Sequence, residues 1–284
     1  MDFPCPLIST KWLRQNIDLP DVKLIDGSWL IDTGATLARQ RYLKSHIPGA
    51  VFFDIDETSD RQSGLPHMLP DKKSFEKAIG EMGVSPRDRV IVYDQAGIFS
   101  APRVWWMFRA FGHEKVSVLD GGLPKWIGED GAVTDQQVDH PFRQYVAGSV
   151  AHLVADHQMV RNGTADTVII DARPAARFNG NAAEPRPRLR SGAMPRAKNV
   201  PSATVISDDG TLKSLEELRE IFRAAMNEKT RAITTCGSGV TAAILCLALE
   251  KIGMSDYRLY DGSWAEWGSE LNDPELFPVV TPKA

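Results

Sequence analysis

Short apolar runs rich in β-formers recur along the chain, at LIDGSW (24–29), VIVYD (90–94), VSVLD (116–120), VIID (168–171), AITTC (232–236) and YRLYD (257–261). Between them lie stretches with helical spacing of apolar residues, such as AAILCLALEKI (242–252). Strand-like runs alternating with helical patterns predict parallel strands joined by crossover helices, an α/β fold.

The pattern occurs twice. VIVYDQAGIFSAPRVWWMFRAFGHEKVSVLDGGLPKW (90–126) lies over AITTCGSGVTAAILCLALEKIGMSDYRLYDGSWAEW (232–267), so that Gly97 falls on Gly239 and Ala101 on Ala243. After one deleted residue, Asp120-Gly121 falls on Asp261-Gly262 and Trp126 on Trp267. Upstream, VKLIDGSW (22–29) lies over TVIIDARP (167–174), and HIPGAVFF (46–53) over AMPRAKNV (193–200). The chain therefore reads as two tandem copies of one domain, each a mostly parallel sheet flanked by helices. Residues 127–154 are polar and irregular apart from a strand-like YVAGSV (145–150). The first copy is assigned to 1–140, a linker to 141–154, and the second copy to 155–284, where ADHQMVRN (155–162) is its first helix.

Composition narrows the function. The chain has 284 residues, 43% hydrophobic and 25% charged, with a net charge of −4. That is an ordinary globular profile, and it lacks the basic stripe that nucleic-acid binding needs. No segment approaches the roughly 18 apolar residues of a membrane span, and MDFPCPLISTKW does not read as a secretory signal. The three cysteines, Cys5, Cys236 and Cys246, include no C-x-x-C pair. A disulfide framework or structural zinc is therefore not expected, and a reducing cytoplasmic setting is.

Cys236 is the chemical candidate. Its counterpart in the first copy is Asp94, a polar residue, which points to a loop position and not to packing. It sits between a strand and a helix, where ligands bind in parallel α/β sheets. A helix N-terminus with unpaired amides, glycines at 237 and 239, and hydroxyls on Ser238 and Thr241 all favour a thiolate. Cys246, on the apolar face of AAILCLALEKI, reads as core, and Cys5 as incidental.

CGSGVTA (236–242) resembles the active-site loop of the 3-mercaptopyruvate sulfurtransferases of the tandem-domain rhodanese superfamily. The resemblance spans essentially the whole chain, including HIPGA (46–50), FFDIDETSDR (52–61), HMLP (67–70), EPR (184–186) and YDGSWAEW (260–267). Thiosulfate-preferring members typically carry C-R-K-G-V-T-A, with two cations beside the sulfur. Gly237 and Ser238 stand there instead, which favours a monoanionic, carbon-linked donor such as 3-mercaptopyruvate. The resemblance implies attack of the Cys236 thiolate on the donor sulfur, loss of pyruvate, and a persulfide held by the loop amides. Its outer sulfur then passes to a thiol acceptor such as thioredoxin, or to cyanide, with no cofactor and no metal.

The same resemblance places a serine–histidine–aspartate relay on Ser238, His67 and Asp56, with the latter two in the first copy and the site accordingly between the domains. The loop residues Gly237, Gly239, Val240 and Thr241 are the expected donor-binding surface. The donor carboxylate calls for arginine, whose fork matches two oxygens. Arg186, in E-P-R, is the first choice and Arg196 the second. The segment Ala193-Met194-Pro195-Arg196 departs from the H-I-P-G form, which leaves Arg190 as a substitute for Arg196. His46 reads as structural because Ala193 is its counterpart. Asp26 and Asp171 share a turn position, and Trp105 and Trp106 read as core or interface. A phosphatase-like loop would carry an arginine five to seven residues after the cysteine; Thr241, Ala242 and Ala243 stand there. Thiosulfate transfer and a non-enzymatic sulfur-carrier module are the alternatives.

Overall fold

A computed structural model describes residues 5–31, 33–148 and 151–282. The apolar runs are strands: β1 (Leu7–Ile8), β2 (Val22–Asp26), β3 (Ala50–Phe52), β4 (Arg89–Tyr93), β5 (Val116–Leu119), β6 (Val154–Ala155), β7 (Thr167–Asp171), β8 (Lys198–Asn199), β9 (Arg231–Thr235) and β10 (Tyr257–Tyr260). The helices are α1 (Thr10–Asn16), α2 (Gly34–Lys44), α3 (Lys72–Glu81), α4 (Ala101–Ala110), α5 (Gly122–Gly128), α6 (His157–Arg161), α7 (Ala175–Phe178), α8 (Leu215–Met226), α9 (Ala242–Lys251) and α10 (Ser263–Trp267). Two five-stranded sheets form, β1-β5-β4-β2-β3 and β6-β10-β9-β7-β8, and all their pairings are parallel. The same strand order arises twice, as the internal repeat requires.

Central strands of a parallel sheet are covered on both faces, which explains why β4 and β9 are unbroken apolar or small-residue runs. Val90 to Tyr93 and Ala232 to Thr235 are all buried. Helices α4 and α9, apolar almost all round, are buried nearly throughout, Trp105, Trp106 and Cys246 included. A helix without a polar face belongs inside. His46 is fully buried, with Nδ1 against Tyr42 O (2.7 Å) and Nε2 against Gln136 O (3.2 Å), which is a structural role.

The chain divides into two compact units that are not two unbroken stretches. One comprises Met1–Arg61, Leu69–Ala151 and Ile206–Leu212; the other Gln62–Met68, His152–Val205 and Lys213–Ala284. Each unit thus incorporates a short segment from the other's stretch of chain. In the first unit, Leu212 N–H donates to Asp120 (2.9 Å), and Asp209 pairs with Lys125 (3.4 Å). The segment Gln62–Met68 takes His67 into the second unit.

Much of the expected linker is strapped to the first unit. Arg143 N–H donates to Gly80 O (3.0 Å), its guanidinium pairs with Asp88 (2.8 Å), and Ala147 and Gly148 N–H donate to Glu76 (2.9 Å) and Phe111 O (2.7 Å). Because these amides go to helix-end carbonyls and a carboxylate, the strand expected at YVAGSV does not form over 145–148. Its residues 149–150 lie outside the described residues.

Asp26 and Asp171 close matching turns, accepting from Ser28 N–H (3.0 Å) and Arg173 N–H (2.9 Å). In the second unit Arg173 neutralises Asp171 (2.7 Å). In the first unit Ser28 stands at that place, and Asp26 is buried against neutral hydrogen-bond donors, Ser28 and Gln95 among them. Burial raises its pKa to about 6, against the opposing hydrogen bonds from Ser28 and Gln95. The folded state then holds this proton more tightly than the unfolded chain does, and stability falls as pH rises from about 4 through 6. Asp26→Asn is expected to change little near pH 4 and to stabilise by on the order of 2–3 kcal/mol at pH 7.5. Urea unfolding at both pH values checks this.

Candidate active site

Cys236 follows β9 at the carboxyl end of the sheet and is 3% exposed. Its N–H donates to Ser263 Oγ (3.3 Å), and Ser263 Oγ donates to Tyr260 O (2.8 Å). The carbonyls of Cys236 and Gly237 accept from Trp264 N–H and Ala265 N–H, both at 2.9 Å. The YDGSW segment therefore clamps the loop through its backbone, with Ser263 itself at φ +49°.

The first unit shows what this loop is built to hold. The Asp94 carboxylate accepts from four backbone amides: Ala96 (2.9 Å), Phe99 (2.8 Å), Ser100 (2.9 Å) and Ala101 (2.9 Å). Leu123 N–H clamps Asp94 O (3.0 Å), as Trp264 clamps Cys236 O. Gly97 (φ +107°) and Gly239 (φ +79°) occupy the same place with the left-handed backbone that lets the amides converge. By the repeat, the four donors correspond to Ser238, Thr241, Ala242 and Ala243, of which Ala243 N–H donates instead to Val240 O (3.3 Å). The loop is an anion nest. In the first unit its own aspartate fills it; in the second a thiol stands at that position.

Two guanidiniums reach the cysteine loop. A Cβ placed on Gly237 would lie 3.1 Å from Arg177 Nη2 and 3.9 Å from Arg186 Nη1. Gly237 does not have a left-handed φ, so its glycine makes room for Arg177 instead of permitting a turn. The loop carries no cation, but the space beside it is cationic. Arg186 Nη2 lies 3.2 Å from His67 Nε2. A guanidinium can only donate, so a hydrogen bond here requires Nε2 to be the acceptor. His67 is buried, with φ +61°.

Behind these groups lies a buried ionic network. Arg173 pairs with Asp171 (2.7 Å) and with Glu184 (2.8 Å), donates to Gly192 O (2.8 Å), and stacks 4.0 Å from the Trp264 ring centroid. Burial opposes its charge, but Asp171 and Glu184 outweigh that and hold its pKa above the ordinary arginine value. Arg177 Nε donates to the other Glu184 oxygen (3.1 Å).

Two of the expected arginines are committed elsewhere. The Arg190 guanidinium is committed to the carbonyls of Trp267 (2.8 Å) and Phe277 (2.9 Å). Arg196 donates to Arg161 O (3.2 Å), at the end of the helix that returns the chain to the start of β7, away from the carboxyl ends of the strands. It holds φ +64° where Gly49 has +80° in the first unit, so the turn survives the departure from H-I-P-G and the side chain points outward. The structure thus brings neither Arg190 nor Arg196 to the loop. Asp56 belongs to the first unit, where both its oxygens accept from Trp29 Nε1 (3.1 Å) and Oδ2 from Ala35 N–H (3.1 Å). The Ser238 hydroxyl makes no hydrogen bond among the described residues. No group of three or more His, Cys, Asp or Glu there could hold a metal ion, and no helix there is long and apolar enough to cross a membrane.

The rhodanese-like domain family matches residues 9–129 and again 156–270. The chain belongs to the rhodanese family. It is 43% identical to a 3-mercaptopyruvate sulfurtransferase of Escherichia coli, over 94% of this chain and 96% of that protein. It is 40% identical to the mitochondrial thiosulfate/3-mercaptopyruvate sulfurtransferase 1 of Arabidopsis thaliana, over 95% of this chain and 77% of that one. The crystal structure of SseA, a 3-mercaptopyruvate sulfotransferase from Escherichia coli, superposes with a TM-score of 0.80 at 41% identity, covering 91% of this chain and 98% of that one.

Within this rhodanese framework, Arg177 is the residue that sequence reasoning missed. It sits on α7, one turn after Arg173, just past the strand that pairs with β9 through Asp171 and Thr235. An arginine directly after the neighbour of the cysteine strand was the available signal.

Proposed function

We propose that this rhodanese-family enzyme transfers sulfur from 3-mercaptopyruvate, through a Cys236 persulfide, to a thiol such as thioredoxin or to cyanide. The observation that carries the reading is the amide nest that closes on the Asp94 carboxylate in the first unit, with a thiol at the matching position of the second, in a loop beside Arg177 and Arg186. The donor carboxylate pairs with these two guanidiniums. The Cys236 thiolate attacks the donor sulfur, an S–S bond forms, and the C–S bond breaks with its electrons passing to pyruvate enolate. That enolate takes a proton, which Ser238 and His67 handle and Asp56 supports. Asp94 presents an oxygen three bonds from its Cα; a persulfide presents its outer sulfur at the same count. The nest amides therefore suit the anionic intermediate. An acceptor thiolate or cyanide then attacks the outer sulfur and releases Cys236. A cytoplasmic setting is part of this reading.

Thiosulfate is the second reading, favoured by the guanidiniums beside Gly237. Pyruvate release from 3-mercaptopyruvate is to be measured beside thiocyanate formation from thiosulfate and cyanide. 3-Mercaptopyruvate is expected to win by at least about tenfold in kcat/KM. Arg177→Ala and Arg186→Ala are each expected to raise its KM by about 10–100-fold, with kcat changed much less. A thiosulfate preference, or unchanged KM values, would reject the reading.

A further inference from the structure

Glu184 is a carboxylate buried to 1% exposure in a cluster that already contains Asp171. Arg173 has Asp171 as its own counter-ion at 2.7 Å, so the charge of Glu184 is shared outward to Arg177. Arg177, about one-fifth exposed, holds Glu184 through both Nε and Nη2, and the same Nη2, which carries a second N–H, lies beside Gly237. The carboxylate thus sits behind a guanidinium whose front faces the cysteine loop. It orients that guanidinium and cancels most of its long-range field, leaving N–H groups for a ligand. A site made this way offers hydrogen-bond donors with less net positive charge than its arginines suggest.

We infer that Glu184 is a specificity-determining residue that tunes the donor site to a monoanion. The inference rests on the proposed role of Arg177 in binding the donor's anionic end. Its physics is simple: a unit of positive charge attracts a dianion twice as strongly as a monoanion at the same distance. Restoring the full charge of Arg177 therefore helps thiosulfate more than 3-mercaptopyruvate.

The test measures kcat and KM for both donors, with cyanide as acceptor, in wild type, Glu184→Gln and Glu184→Asp. Glutamine removes the charge and keeps the reach; aspartate keeps the charge and shortens the reach. Glu184→Gln is expected to lower the ratio of kcat/KM for 3-mercaptopyruvate over thiosulfate by about tenfold or more, mainly through KM, and added salt is expected to shrink that shift. Glu184→Asp is expected to weaken both donors and keep the ratio within about twofold of wild type. An unchanged ratio in Glu184→Gln, or an equal shift in Glu184→Asp, overturns the inference. Wild type gives a check that needs no variant: pyruvate, a monoanion, is expected to compete with the donor more strongly than sulfate, and the reverse order overturns the inference too. If wild type prefers thiosulfate, the proposed function fails, while the direction of the shift in Glu184→Gln still decides the role of Glu184.

Discussion

Cys236→Ser is expected to lower sulfur transfer from either donor by at least about 10⁴-fold, because serine oxygen forms no persulfide and its alkoxide is scarcely populated. The fold should not change. The N–H of this residue donates to Ser263 Oγ and its carbonyl accepts from Trp264 N–H, both through the backbone. Stability is therefore expected within about 0.5 kcal/mol of wild type. Mass spectrometry after adding donor without acceptor should show one extra sulfur atom on wild type and none on the variant. Turnover surviving in the variant, or sulfur found on Cys5 or Cys246, would remove Cys236 from the reaction.

Asp94→Ala is expected to cost about 3–5 kcal/mol of stability, since it strips the counter-group from four backbone amides, two of them buried. Asp94 is 1% exposed, and its two oxygens take four N–H groups at 2.8–2.9 Å. Asp94→Asn keeps one accepting oxygen and should cost about half as much or less. Urea unfolding of both variants gives the comparison. A loss under about 1 kcal/mol in Asp94→Ala would mean that the carboxylate does not organise the first loop. The weakness of the parallel with the cysteine loop would then be plain.

These two residues occupy one position of the repeat, and the sequence made that legible. The same holds for the strand runs, the buried character of α4 and α9, the core role of Cys246 and the structural role of His46. All depend on periodicity, backbone freedom or comparison between copies, properties that a chain carries locally. The arginines were another matter. Arg186, Arg188, Arg190 and Arg196 look alike in FNGNAAEPRPRLRSGAMPRAKN. Only the fold sends Arg186 to His67, Arg190 to the carbonyls of Trp267 and Phe277, and Arg196 to Arg161.

By itself, the sequence determined a doubled parallel α/β fold, a thiol in the second copy's loop, and an aspartate in the first. Tertiary structure alone decided that Arg177 stands beside Gly237, that Glu184 backs it, and that Gln62–Met68 carries His67 into the second unit. The reason is physical. Local pattern sets which backbone conformation a segment prefers, whereas the partner of a charged side chain is set by which strands pair, as β7 does with β9. That pairing joins residues more than sixty positions apart, and no short stretch of sequence encodes it.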